Sequence, residues 1–112
     1  MPIVTDLPEL AGRISATQEL LARSPDSDGV QRAVNQLATV DDMLASLIGA
    51  ESVPPGMAVC LGRVRDDLSS HVCAALHLDQ VAPPDRSVAL LQRGVASANA
   101  GIHAITQVGH TG

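Results

Sequence analysis

Apolar residues return along this chain in alternating steps of three and four, the spacing that lines one side of an α-helix. In the first segment Leu7, Leu10, Ile14, Thr17 and Leu21 form such a stripe. Asp6 with Glu9 has the form of a capping box, and Pro8 suits a first helical turn. Turn formers follow at Ser24-Pro25-Asp26-Ser27-Asp28-Gly29 and offer fresh N-caps. The second stripe runs through Ala33, Leu37, Val40, Leu44 and Leu47, and Val30, Val34, Met43 and Ile48 widen it. This breadth predicts that the second helix is the most buried.

Val53-Pro54-Pro55 and Val81-Ala82-Pro83-Pro84 stop the pattern twice more, because proline removes a donor and forces its predecessor out of the helical region. Between them Met57, Leu61, Val64, Leu68, His71, Ala75 and Leu78 outline a third helix. Beyond them Val88, Leu91, Val95, Ala98, Ile102 and Ile105 outline a fourth, with Asp85 as its expected cap. No segment alternates with period two, so strands have no support. The pattern predicts an all-α four-helix up-down bundle with helices over 6–23, 28–49, 56–79 and 85–107, since short turns favour antiparallel neighbours. The chain reads as one helical domain over 1–112, with 108–112 as a frayed tail.

Composition then changes the packing picture. The chain holds no Phe, Tyr or Trp, so Leu, Val, Ile, Met and Ala must fill the interior. Reaching native packing density with such side chains requires helices to approach closely or faces to be shared between subunits. Lys is absent as well and Asn rare, a bias against AT-rich codons that points to a GC-rich bacterial or phage genome. Net charge is −5, and seven Arg are scattered among carboxylates, so a nucleic-acid surface is disfavoured. No apolar run reaches membrane-span length and the N-terminus lacks a signal-peptide pattern, which makes a cytoplasmic protein without membrane attachment the expectation. Cys60 and Cys73 read as free thiols and as small buried hydrophobes.

Candidate chemistry is sparse. His71, Cys73 and His77 on the third helix are the candidate metal ligands, with Asp67 one turn before His71 and His103 or His110 as donors from elsewhere. The step of two from His71 to Cys73 sets the pairs Asp67/His71 and Cys73/His77 apart around the helix. His71 lies on the apolar stripe, where a histidine bonded to a backbone carbonyl is the simpler reading. Asp41-Asp42 and Asp66-Asp67 diverge by about 100° each, so neither pair converges on one proton. Asp41 interrupts an apolar face, and its expected partner is Arg32 or an Arg of another helix. No phosphate loop, nucleophile elbow or dinucleotide fingerprint is present, so no catalytic residue and no cofactor is assigned, and an enzyme is disfavoured.

The run Val-Asn-Gln-Leu-Ala-Thr-Val-Asp-Asp-Met-Leu from Val34 to Leu44 resembles the second helix of copper-sensing and formaldehyde-sensing tetrameric repressors. In those families the helix continues into a His-x-x-x-Cys pair, whereas Pro54-Pro55 stops it here. Histidine phosphotransfer domains are similar in length, but they place a Lys after the phosphorylated His, and His71, His77 and His103 lack one.

On the fourth helix Ser87, Gly94, Ser97, Gly101 and Ala104 share a small-residue face. Helical Gly costs about 1 kcal/mol relative to Ala, so something is expected to approach this backbone closely. Two readings carry equal weight: an interface with a second copy, giving a homodimer, or tight packing within the bundle. The function favoured by the sequence is a non-enzymatic helical protein that self-associates or binds a protein partner. The alternative is a regulator binding a small molecule or metal between helices.

Overall fold

A computed structural model describes the backbone of residues 2–51, 53–81 and 83–111, and among these every side chain except those of 2–6, 79, 81 and 108–111. Four helices account for almost all of it: α1 Pro2–Arg23, α2 Ser27–Gly49, α3 Pro55–Val81 and α4 Pro84–Thr111. They pack as a four-helix bundle without strands among the described residues. The 28 residues of α4 span about 42 Å at 1.5 Å per residue. That nearly equals the longest extent of the molecule, 45 Å, so the helices run along its length.

The breaks lie where the turn chemistry places them. Asp26 caps α2 by accepting a 2.8 Å hydrogen bond from the Gly29 amide at Oδ1. Both later helices start on the second proline of a Pro-Pro pair, Pro55 and Pro84. A first-turn proline loses no helical hydrogen bond, because an amide there would have no partner within the helix. Three boundary expectations need correction. The first helix begins at Pro2, so Asp6 lies inside it and Pro8 falls in its second turn. Asp85 is in the first turn of α4 rather than at its cap, and α4 continues to Thr111, past the expected end at 107.

Each helix touches its two neighbours in the order α1–α2–α3–α4–α1. Across the middle α2 meets α4, whereas α1 and α3 do not approach each other among the described residues. The cross-section is therefore a rhombus with α2 and α4 on its short diagonal. Their stripes supply much of the core: Val30, Ala33, Leu37, Val40, Leu44 and Leu47 from α2, and Val88, Leu91, Val95, Ala98, Ile102 and Ile105 from α4. Val53 in the α2–α3 loop is also buried, and its N–H donates a hydrogen bond to the Ala50 carbonyl at 3.2 Å. One polar residue on the α1 stripe is fully buried. Thr17 Oγ1 lies 3.0 Å from the Arg13 carbonyl and 2.8 Å from Gln36 Oε1 on α2, which satisfies the hydroxyl and ties the two helices.

Candidate functional site

Three of the five residues on the small-residue face of α4 pack within the chain. A Cβ placed on Gly94 would stand 2.7 Å from His71 Cβ, and one on Gly101 would stand 2.7 Å from Val64 Cγ2. Both pairs are seven residues apart on each helix and run in opposite senses, so they are rungs of one antiparallel ladder between α3 and α4. Ser87, a further seven residues along, is buried and donates its hydroxyl to the Ala75 carbonyl at 2.9 Å. Of the two readings offered for this face, packing inside the bundle accounts for Ser87, Gly94 and Gly101, whose surfaces α3 already covers. Ser97 and Ala104 are exposed at the edge of the same seam.

His71 belongs to this ladder. Its Nδ1 lies 2.8 Å from the Asp67 carbonyl oxygen and 3.7 Å from Asp67 Oδ1. A carbonyl only accepts, so Nδ1 carries the proton and the ring makes the backbone bond expected of an interface histidine. Cys73 and His77 are exposed, two and six residues further along α3, and do not join it. Among the described residues no three His, Cys, Asp or Glu side chains are grouped to hold a metal ion. His103 is exposed, and the side chain of His110 lies outside the described residues. The expectation that both thiols are buried is incorrect. Cys60 and Cys73 are free and exposed, because each sits on a flank of α3 beside the stripe rather than on it.

The α2–α3 seam is looser, and here the structure opens a surface. An apolar groove of about 210 Å³ lies between the two helices, with buried Leu37 and Leu68 and half-buried Val34 and Val72 as its floor. Ala38, Ser69 and Cys73 form the exposed rim. Small side chains at Ala38 and Ser69 leave the seam unfilled where larger ones would close it. Asp41 stands at one end, where Arg65 clamps it from α3 with Nε–Oδ1 at 2.8 Å and Nη2–Oδ2 at 3.2 Å. This answers which Arg meets Asp41, since Arg32 pairs with Asp28 on its own helix at 3.2 Å.

In comparison with known proteins, no family model, no curated protein and no solved structure matches this chain.

Electrostatically the groove is lopsided. Asp42 follows Asp41 and Asp66 follows Arg65, each turned about 100° further round its helix. In α2 the same turn leads from Leu37 to Ala38, and in α3 from Leu68 to Ser69, so both carboxylates stand on the open side with the rim. Both are exposed. The hydrogen-bonded Asp41 carboxylate, and more weakly the charges of Asp66 and Asp42, raise the pKa of the Arg65 guanidinium above its usual value. Three carboxylates against one guanidinium leave this end of the groove with an excess of negative charge. Exposed Arg63 lies three residues before Asp66, about 60° from it around α3, and reduces that excess to one charge without removing it.

The sequence did not single out this groove. Its floor residues read as ordinary core positions, and only the smallness of Ala38 and Ser69 at flanking positions hinted that the seam stays open. Among the described residues no helix is long and apolar enough to cross a membrane.

Proposed function

We propose that this protein acts by associating with protein, another copy of itself or a different chain, through the α2–α3 groove, and that it is not an enzyme. The observation that carries the reading is an open apolar groove between α2 and α3, whereas the α3–α4 seam beside it is packed by the His71–Gly94 and Val64–Gly101 contacts. Its volume of about 210 Å³ falls below the ~300–1,000 Å³ of small-molecule pockets, and its lining offers few polar groups to orient a ligand. A groove between two helices instead suits a side chain carried by a third.

The test compares the wild type with Ala38→Arg, which alters an exposed rim position and leaves the core intact. Solution mass is measured by light scattering over a wide concentration range, and in-cell crosslinking identifies neighbours. The expected result is an assembly, or a crosslinked partner, that the wild type forms and Ala38→Arg loses. A monomer at high micromolar concentration, with the same crosslinks in both proteins, would exclude association through this groove.

A further inference from the structure

Resting on that reading, the charge around the groove narrows the kind of chain that enters it. We infer that the occupant is a basic amphipathic helix of a different protein, which places one large apolar side chain against Val34, Leu37, Leu68 and Val72 and sets Arg or Lys against Asp42 and Asp66.

Three observations lead there. The floor is apolar and bounded, with room for a side chain rather than for a whole helix face, so a single anchor flanked by lesser contacts is the fitting geometry. The carboxylates of Asp42 and Asp66 flank the open side from the two helices, and the Arg65 guanidinium that offsets them is held by Asp41. Cations one helical turn from the anchor reach such flanking charges, since residues three and four apart share a face. A second copy is the poorer fit. It would bring two acidic groove ends together in a chain of net charge −5. It also offers only one exposed large apolar side chain among the described residues, Val59, which is too short to fill the floor.

The probe is a synthetic amphipathic peptide of about 18 residues built from Leu, Ala and Arg, with a central Leu on its apolar face. Its controls are a scramble of the same composition, an Arg→Glu version and a version with the central Leu changed to Ala. Binding is read by anisotropy of the labelled peptide at physiological salt, where surface charge attraction is screened beyond about 8 Å. A second readout is the alkylation rate of the two thiols, because Cys73 sits on the rim and Cys60 does not line the groove. The amphipathic peptide is expected to bind at least about tenfold more tightly than any control and to slow alkylation of Cys73 while sparing Cys60. Val72→Glu, and independently the exposed change Ala38→Arg, are expected to weaken binding about tenfold. Asp42→Asn with Asp66→Asn is expected to weaken it severalfold.

Equal binding of the scramble, or unchanged binding by both groove variants, means attraction to net charge alone and overturns the inference. So does failure of the peptide to bind better than its acidic version. A wild-type dimer that Ala38→Arg converts to monomer makes a second copy the occupant. That result would overturn the basic partner and leave the association reading standing. An absence of peptide binding, self-association and variant-sensitive crosslinks together would remove both.

Discussion

His71 of α3 rests on Gly94 of α4, with the His71 Cβ 2.7 Å from where a Gly94 Cβ would be. The contact decides what a glycine in the middle of a long helix is for. Helix propensity alone would favour Ala there by about 1 kcal/mol. A first methyl group at this position meets the base of a side chain, which cannot swing away without moving α3. Overpacking of this kind costs about 1–3 kcal/mol, so it outweighs the propensity gain. Gly94→Ala should therefore destabilise. Gly12→Ala, at an exposed site with nothing within 4 Å, should stabilise by about 0.5–1 kcal/mol. Denaturation followed by far-UV circular dichroism measures both, since the chain has no Trp or Tyr signal. If Gly94→Ala stabilises as much as Gly12→Ala, the α3–α4 ladder is looser than described.

The neighbouring rung offers a sharper test. At Gly101 the obstruction is one atom, Val64 Cγ2, and the Val64 Cβ lies 4.0 Å away. Val64→Ala removes the obstructing methyl and leaves ordinary contact. Gly101→Ala should thus destabilise the wild type yet be neutral or stabilising in the Val64→Ala background. A coupling of at least about 1 kcal/mol in the double-mutant cycle is expected. Additive effects would mean that the two residues do not touch.

Leu44 lies in the C-terminal third of α2 with no exposed surface. Leu44→Ala should cost about 2–5 kcal/mol, the range for a buried leucine truncation. In a bundle this small that is a large part of the total stability. A loss below about 0.5 kcal/mol would place the α2 stripe on the wrong side.

Cys60 and Cys73 are exposed on one helix, thirteen residues apart, or about 20 Å along its axis. A disulfide needs Cα atoms within about 7 Å, so none can close between them in the folded monomer. Both thiols should titrate with an aromatic disulfide reagent without denaturant. Recovery of fewer than two, or a mass under non-reducing conditions showing an internal bond, would contradict the continuous α3.

Four helices, their order and most of the core follow from local pattern alone. Stripes of period 3.6 and two Pro-Pro stops are local properties, and Leu10, Ile14, Leu37, Leu44, Leu91 and Ile102 are buried as their spacing demands. The sequence also flagged Gly94 and Gly101 as places of close approach, and His71 as a histidine bonded to a backbone carbonyl. What approaches, and from which molecule, was beyond it, because periodicity fixes the face of a helix but not the partner that covers it. The register of α3 against α4 assigned those glycines to His71 and Val64. The exposure of both thiols has a related cause, since a small apolar residue beside a stripe is buried only if a neighbouring helix lies on that side. The α2–α3 groove likewise exists only through tertiary packing. It depends on small residues at the edges of two helices coming opposite one another, with Asp42 and Asp66 on the same open side, a juxtaposition of residues more than twenty positions apart that no local pattern encodes.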